Sequence, residues 1–461
     1  MTLLPAPIDS MLSLIGNTPM IRIHGFDTGP CELYVKLETQ NPGGSIKDRM
    51  ALTMIEAAER DGKLKPGGTI VEATAGNTGL GLALIASQKG YKLILVIPDK
   101  MSQEKIFHLR AMGAQVVLTR SDVSKGHPEY YMDLARTVAD QCGGYYVNQF
   151  ENPANPLAHE QSTGPEIWEQ MEHRLDAVVA GVGSAGTLTG LANYFEKVAP
   201  HVEMVLADPE GSVLADLVTT GKPGTGGAFL VEGIGGGFIP PVGDLHRVKT
   251  AYTISDAESF EVARQLLRGQ GILAGSSAGT LVAAALHYCR DQKQAKRVVT
   301  FICDTGNKYL SKMFNDYWMI DHGFIRRETF GDLRDLIARR HWEGATVTIG
   351  PDDSIQLAYR RMKLYDVSQI PVLENGKVVG ILDESDLLAA LMADPSAFSR
   401  QVRTAMTQDV QTVQSTIEPD QLLPVFKQGR VVVVEDAGKF LGLITQIDLI
   451  HFLRLKTLDT A

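Results

Sequence analysis

The chain has 461 residues, 44% hydrophobic and 21% charged, with 45 glycines and 21 prolines spread along it, which excludes collagen-like, disordered and disulfide-stapled classes and suits two or three globular domains. Its 44 Lys and Arg against 54 Asp and Glu give a formal charge of −10 with no long basic run, so no nucleic acid partner is expected. Apolar runs such as KLILVIP and residues 281–286 are far shorter than the ~20 residues of a bilayer crossing. The start, MTLLPAPIDS, lacks a basic then apolar leader pattern, so no membrane partner and a cytoplasmic location are expected.

From about Ile15 to Cys303, short Val- and Ile-rich runs alternate with helical stretches: LYVKL, TIVEA, KLILVIP, AQVVLT, YYVN, DAVVAGVG, EMVLAD and RVVTFIC. Several open directly into Gly-rich polar residues and then an Ala/Leu-rich segment, as in TIVEATAGNTGLGLALIASQKG. This alternation predicts an α/β fold with a parallel sheet buried on both faces, and ligands at the carboxyl ends of its strands.

Four loops qualify. The first, NPGGSIKDR, sets Lys47 in the first turn of a helix, where the positive end of the macrodipole lowers an amine's pKa. The second, Thr74-Ala75-Gly76-Asn77-Thr78-Gly79, offers hydroxyls, an amide and exposed backbone N–H groups suited to a carboxylate. The third, Gly183-Ser184-Ala185-Gly186-Thr187, follows a strand and suits a phosphate; it is not a nucleotide triphosphate loop. The fourth, Gly275-Ser276-Ser277-Ala278-Gly279, precedes a helix and reads equally as a cap. Cys31, Cys142, Cys289 and Cys303 form no CxxC pattern, and the eleven histidines show no ligand spacing, so no metal is expected.

After Gly323 the segment FIRRETFGDLRDLIARRHWEGATV is charge-dense and predicts a linker helix. Beyond it an offset of 62 matches Gly376 to Gly438, Gly380 to Gly442, Asp386 to Asp448 and Leu391 to Leu453, an internal repeat. Each copy reads as a hairpin and a helix, with too little core of its own, so the two copies are expected to pack together.

Seven motifs then stand in one order: IGNTP at Ile15, GGSIKDR around Lys47, TAGNTG at Thr74, Asn155-Pro156 with His159, GSAGT at Gly183, EGIGGGFIP at Glu232 and GSSAG at Gly275. In these the chain resembles the fold type II pyridoxal 5′-phosphate enzymes of the cysteine synthase and cystathionine β-synthase group, and the repeat resembles a pair of CBS domains. The resemblance implies two three-layer αβα subdomains of mostly parallel sheet plus a C-terminal tandem CBS module. It places a pyridoxal-phosphate catalytic domain at 1–323, a linker at 324–341 and CBS domains at 342–396 and 397–461.

The same resemblance implies that Lys47 carries the cofactor as a Schiff base. Gly183, Ser184, Ala185, Gly186 and Thr187 then form the phosphate cup, Asn77 meets the cofactor's 3′ oxygen, and Ser277 faces its ring nitrogen. Thr74, Ala75, Gly76, Asn77, Thr78, Gln149, Gly233 and Gly235 bind the amino-acid substrate. It implies β-replacement, serine with homocysteine giving cystathionine, with hydrogen sulfide a possible side product. O-acetylserine as donor, or sulfide as acceptor, is the alternative. Thr445 and Asp448 match residues that hold an adenosyl ligand, whereas Asp383 stands where the first copy would have the threonine. A homodimer or homotetramer is expected, and no haem, because no Cys or His precedes Ile15. Ala75 and Ala185 depart from the family pattern; at Ala185 a methyl implies either negative φ or strain.

Overall fold

The computed structural model describes residues 7–74, 76–99 and 103–458, and the chain divides between Phe324 and Ile325 into two compact units. In the first unit, one six-stranded sheet has the order Met20–Arg22, Glu32–Leu37, Arg297–Ile302, Ala177–Gly181, Glu203–Pro209, Val248–Ile254. Only its first pair is antiparallel. A second, wholly parallel sheet runs Gln115–Thr119, Lys92–Pro98, Thr69–Ala73, Tyr145–Tyr146.

The expected apolar runs all become strands, although YYVN contributes only Tyr145–Tyr146. Val248–Ile254 was not anticipated: it is a sheet edge, buried only at its two ends, so VKTAYTI carries polar residues that mask the strand pattern. The smaller sheet has three layers. Helices Lys47–Arg60 and Asn77–Lys89 pack Met50, Met54, Leu82 and Ile85 against one face, and Ala135 and Ala139 of Tyr131–Cys142 cover Val71 and Val96 on the other.

A buried ion network fixes the helix that begins at Lys47. Arg49 donates from Nε and Nη2 to Glu38 at 2.7 and 2.9 Å, and from Nη1 and Nη2 to Glu166 at 2.6 and 2.8 Å. Both Arg49 and Glu38 are buried. Thr18 and Asn41 also donate to Glu38 at 2.7 Å, and the Asn17 N–H to Glu166 at 2.9 Å. Buried Lys36 reaches Glu166 at 2.9 Å. Burial works to raise the Glu166 pKa, but Arg49 and Lys36 hold it down to about 2.

In the second unit the hairpins form as expected, Gln369–Glu374 with Lys377–Asp383 and Val432–Asp436 with Lys439–Ile444, each followed by a helix. Asn375-Gly376 and Ala437-Gly438 turn at positive φ, the two-residue turn that matches strand twist. Two expectations fail. The segment 324–347 forms no linker helix; it holds two 3₁₀ turns, Leu333–Asp335 and His341–Glu343, and around the first of them Leu333, Leu336 and Ile337 enter a core with Leu422, Phe426, Val434 and Ile444. Each copy also has a core of its own, the first built from Ile349, Ile355, Met362, Ile370, Val372 and Leu382.

Replacing Arg49→Met strands the buried Glu38 and should cost about 3–5 kcal/mol of stability. Denaturant unfolding of the full chain measures it, and Arg49→Lys, which keeps charge without the planar fork, should fall between.

Candidate active site

The strand Glu32–Leu37 leads through residues 41–45 to a helix that starts on Lys47 itself, with Ile46 at its N-cap. The strand Arg297–Ile302 runs beside it, and the Ile46 N–H donates to the Cys303 carbonyl at 2.9 Å. Lys47 lines a cavity together with Gly183, Ser184, Ala185, Gly186, Thr187 and Cys303. Burial lowers the pKa of the Lys47 amine, against Cys303, Asp304 and Glu38 which raise it. Desolvation, rather than the helix dipole expected from sequence, is thus the leading cause.

The 183–187 loop joins the strand Ala177–Gly181 to the helix Gly186–Val198. Its backbone is pressed from behind. A Cβ on Gly186 would lie 1.8 Å from Asn155 Oδ1, and one on Gly183 would lie 2.3 Å from the Gly233 carbonyl. Ala185 takes φ +67°, so the strained alternative left open by the sequence is the one adopted. Gly233 and Gly235, both at positive φ, bring a second loop onto this one, and the Gly235 N–H donates to Val182 O at 2.8 Å.

The remaining expected residues do not line this cavity. Thr74 Oγ1 accepts the Gly76 N–H at 3.1 Å, and Thr78 Oγ1 donates to Gln149 Oε1 at 2.8 Å. Ala75 lies outside the described residues. Asn77 donates to Asp304 Oδ2 at 2.8 Å and accepts from Lys308 Nζ at 2.5 Å. Ser277 is buried at the start of the helix Ser276–Arg290, beside the Cys303 thiol, which burial pushes up to about 12.

Sequence reasoning missed Asp304, Lys308 and Glu72, and it placed Asn155 in a motif without giving it a role. Asp304 is fully enclosed, accepts from Asn77 and from Tyr309 Oη at 2.9 Å, and its pKa is raised by burial. It follows a strand's carboxyl end, where the rule for parallel sheets already points. Asn155 ties the loops together, donating to Gln149 O at 2.8 Å and Ser184 Oγ at 3.0 Å. Glu72, at the end of Thr69–Ala73, accepts from the Ala73 N–H at 2.7 Å and the Gln149 N–H at 3.2 Å.

In the second unit, an open cleft is lined by Thr445 and Asp448 as well as Arg339, Asp366 and Arg430. Asp448 Oδ2 accepts from Thr445 N and Oγ1 at 2.7 and 2.6 Å. In the first copy Asp383 and Asp386 instead close a capping box, and Asp386 also accepts from Thr407 at 3.1 Å.

Residues 11–304 match the family described as pyridoxal-phosphate dependent enzyme, and residues 344–393 and 401–455 each match the CBS domain. The first match covers more than half of the chain. The chain belongs to the pyridoxal-phosphate dependent enzymes. It is 34% identical to a cystathionine beta-synthase of Dictyostelium discoideum, over 97% of this chain and 92% of that one. A cysteine synthase of Staphylococcus aureus (strain Mu50 / ATCC 700699) is 42% identical over 66% of this chain and 96% of that one. Among solved structures, an O-ureido-L-serine synthase superposes with a TM-score of 0.63 at 34% identity, covering 68% of this chain and all of the other.

The geometry fits the family's cofactor. A desolvated lysine shares one cavity with a loop whose glycines admit no Cβ and which opens a 13-residue helix, a combination suited to an aldehyde that also carries a phosphate. No helix among the described residues is long and apolar enough to cross a membrane.

Burial pushes the Glu72 carboxyl up to about 7, against backbone N–H groups of Ala73, Gln149 and Asn148 that lower it. The folded protein therefore holds this proton more tightly than the unfolded chain, and the resulting stability is present in acid and lost as pH rises from about 4.5 to about 7. Denaturant unfolding across that range should show stability relative to Glu72→Gln falling by up to about 3 kcal/mol, and level above pH 8.

Proposed function

We propose that the protein catalyses β-replacement, condensing L-serine with L-homocysteine to cystathionine, and that Lys47 is its catalytic amine. The observation that carries this reading is the cavity Lys47 shares with Gly183–Ser184–Ala185–Gly186–Thr187. The near full-length likeness to a cystathionine beta-synthase, repeat included, supports the substrates.

Bound pyridoxal phosphate supplies an electron sink conjugated to the substrate's Cα. The Lys47 amine, its pKa lowered by burial, stands neutral more readily and takes the Cα proton as general base. Thr74, Gly76, Asn77, Thr78 and Gln149 hold the substrate carboxylate on hydroxyl, amide and backbone donors, with Gly233 and Gly235 in the same substrate-binding set. Ser277, a hydroxyl rather than a carboxylate, does not hold the ring nitrogen protonated, which favours loss of the β-group over transamination. In the net reaction the serine Cβ–O bond breaks, a Cβ–S bond forms, water leaves, and Lys47 returns a proton to Cα.

The higher identity to a cysteine synthase over the catalytic unit favours a second reading, with O-acetylserine as donor and sulfide or homocysteine as acceptor. In the CBS module we propose that Thr445 and Asp448 hold the ribose of an adenosyl ligand; the cleft they line supports this.

Lys47→Ala should abolish borohydride-trapped cofactor in the mass spectrum and lower turnover by about 10³-fold or more. Incubation with serine or with O-acetylserine, then homocysteine or sulfide, separates the two readings by product mass: cystathionine from serine supports the first, and turnover only with O-acetylserine selects the second. Calorimetric titration with S-adenosylmethionine, AMP and ATP should show heat with at least one, lost in Asp448→Ala; no heat with any removes the ligand from the reading.

A further inference from the structure

We propose that Asn155 and His159 are positioning residues that compel the hydroxyls of Ser184 and Thr187 to donate toward an anion in the Lys47 cavity. The identity of that anion as the phosphate of pyridoxal phosphate rests on the function proposed above. Neither residue lines the cavity; each stands behind one of the two hydroxyls that do.

The direction of each hydrogen bond follows from what is buried behind it. The Asn155 amide faces the Gln149 carbonyl at 2.8 Å, and a carbonyl only accepts, so the group facing it is Nδ2. The same Nδ2 donates to Ser184 Oγ at 3.0 Å. The Ser184 oxygen is thereby used as an acceptor, and its proton has only the weak, distant Met50 thioether at 4.0 Å as an alternative to an anion in the cavity.

His159 is fully buried on the π-helical turn His159–Thr163, with Nδ1 2.9 Å from Thr163 Oγ1 and Nε2 3.3 Å from Thr187 Oγ1. Burial, with Arg49 and Lys47 nearby, lowers its pKa well below the usual imidazole value, so the ring is neutral and carries one proton. Thr163 is itself buried, and among the described residues its hydroxyl has Nδ1 as its hydrogen-bond partner. Were Nδ1 the protonated nitrogen, the Thr163 O–H would be buried without an acceptor, a costly state. Thr163 therefore donates to Nδ1, the ring proton sits on Nε2, and Nε2–H donates to Thr187. The Thr187 proton, like that of Ser184, is free to meet an anion. A chain from Thr163 through His159 to Thr187 thus fixes the polarity of one wall of the cavity before any ligand arrives, which is what preorganised anion binding needs.

The test uses the full-length protein and two probes, pyridoxal phosphate and pyridoxal, which differ only by the phosphate. Titration followed by absorbance gives both dissociation constants, and ³¹P NMR reports the bound phosphate. His159→Leu and Thr163→Val should each weaken pyridoxal phosphate about tenfold or more, the loss of one charge-assisted hydrogen bond, and leave pyridoxal within about twofold. Both should move the ³¹P resonance, and His159→Gln, whose amide still donates, should restore most of the affinity. Equal weakening of both probes, or unchanged pyridoxal phosphate binding, overturns the proposal. Should His159→Leu not fold, Thr163→Val decides, since it alters the relay at its far end. Failure of the unsubstituted protein to bind pyridoxal phosphate at all would instead overturn the functional reading.

Discussion

The buried pairing of Arg49 with Glu38 and Glu166 is the constraint on which the site depends. Arg49 lies two residues from Lys47, and its guanidinium spends both edges on carboxylates brought from a 3₁₀ turn after one strand and from a distant helix. The IGNTP segment closes the network: the Gly16 N–H donates to Asn41 at 2.9 Å, Thr18 to Glu38, and Asn17 to Glu166. A buried ion network of this kind is weak as a source of net stability, because desolvating the charges consumes most of the attraction. What it fixes is register. With every carboxylate lone pair assigned, the first turn of the Lys47 helix has one place to be, and the amine stays in the cavity despite facing the unfavourable end of its own helix.

Much of this was legible in the sequence for a physical reason. Parallel strands buried on both faces must read as apolar runs, so the loops at their carboxyl ends stand out as polar, Gly-rich interruptions. That contrast located Lys47, residues 74–79 and 183–187, and the turn before Ser277. It did not reach Asp304 and Lys308, although they follow the strand Arg297–Ile302. Their segment, CDTGNKY, looks like an ordinary turn, and its meaning comes from Asn77, more than two hundred residues away in the chain. Asn155 and His159 were visible as a motif but not as a mechanism, since their partners on the 183–187 loop and at Thr163 are set by packing.

The second unit shows where repeat logic misleads. The offset of 62 found both hairpins and both helices, but it implied that the two copies share a core, whereas each buries its own. The second copy completes its core with Leu333, Leu336 and Ile337, taken from a segment whose charge density resembles a solvated linker. Three apolar residues among many arginines and acids suffice when they fall on one side of a short turn. The departure at Asp383 has a local reason too: it caps its helix with Asp386, and that carboxylate is committed to the backbone rather than to a ligand.

Ala185 is where the backbone itself is strained. A non-glycine residue at φ +67° costs about 1–2 kcal/mol, and nothing forces a chain to keep an alanine there. Its methyl is buried, and a Cβ placed on Gly243 would lie 3.0 Å from it, so the methyl fills space that a glycine would leave empty. Packing thus offsets part of the strain. The rest is repaid by direction: a left-handed residue immediately before a helix turns successive N–H groups to one side, the concave arrangement that binds anions. The same backbone puts Gly186 against Asn155 and Gly183 against Gly233, leaving the loop no room to relax away from the cavity. Strain, crowding from behind and hydroxyls held by backing donors all act to keep one small concave surface open and polar beside an amine whose pKa burial lowers.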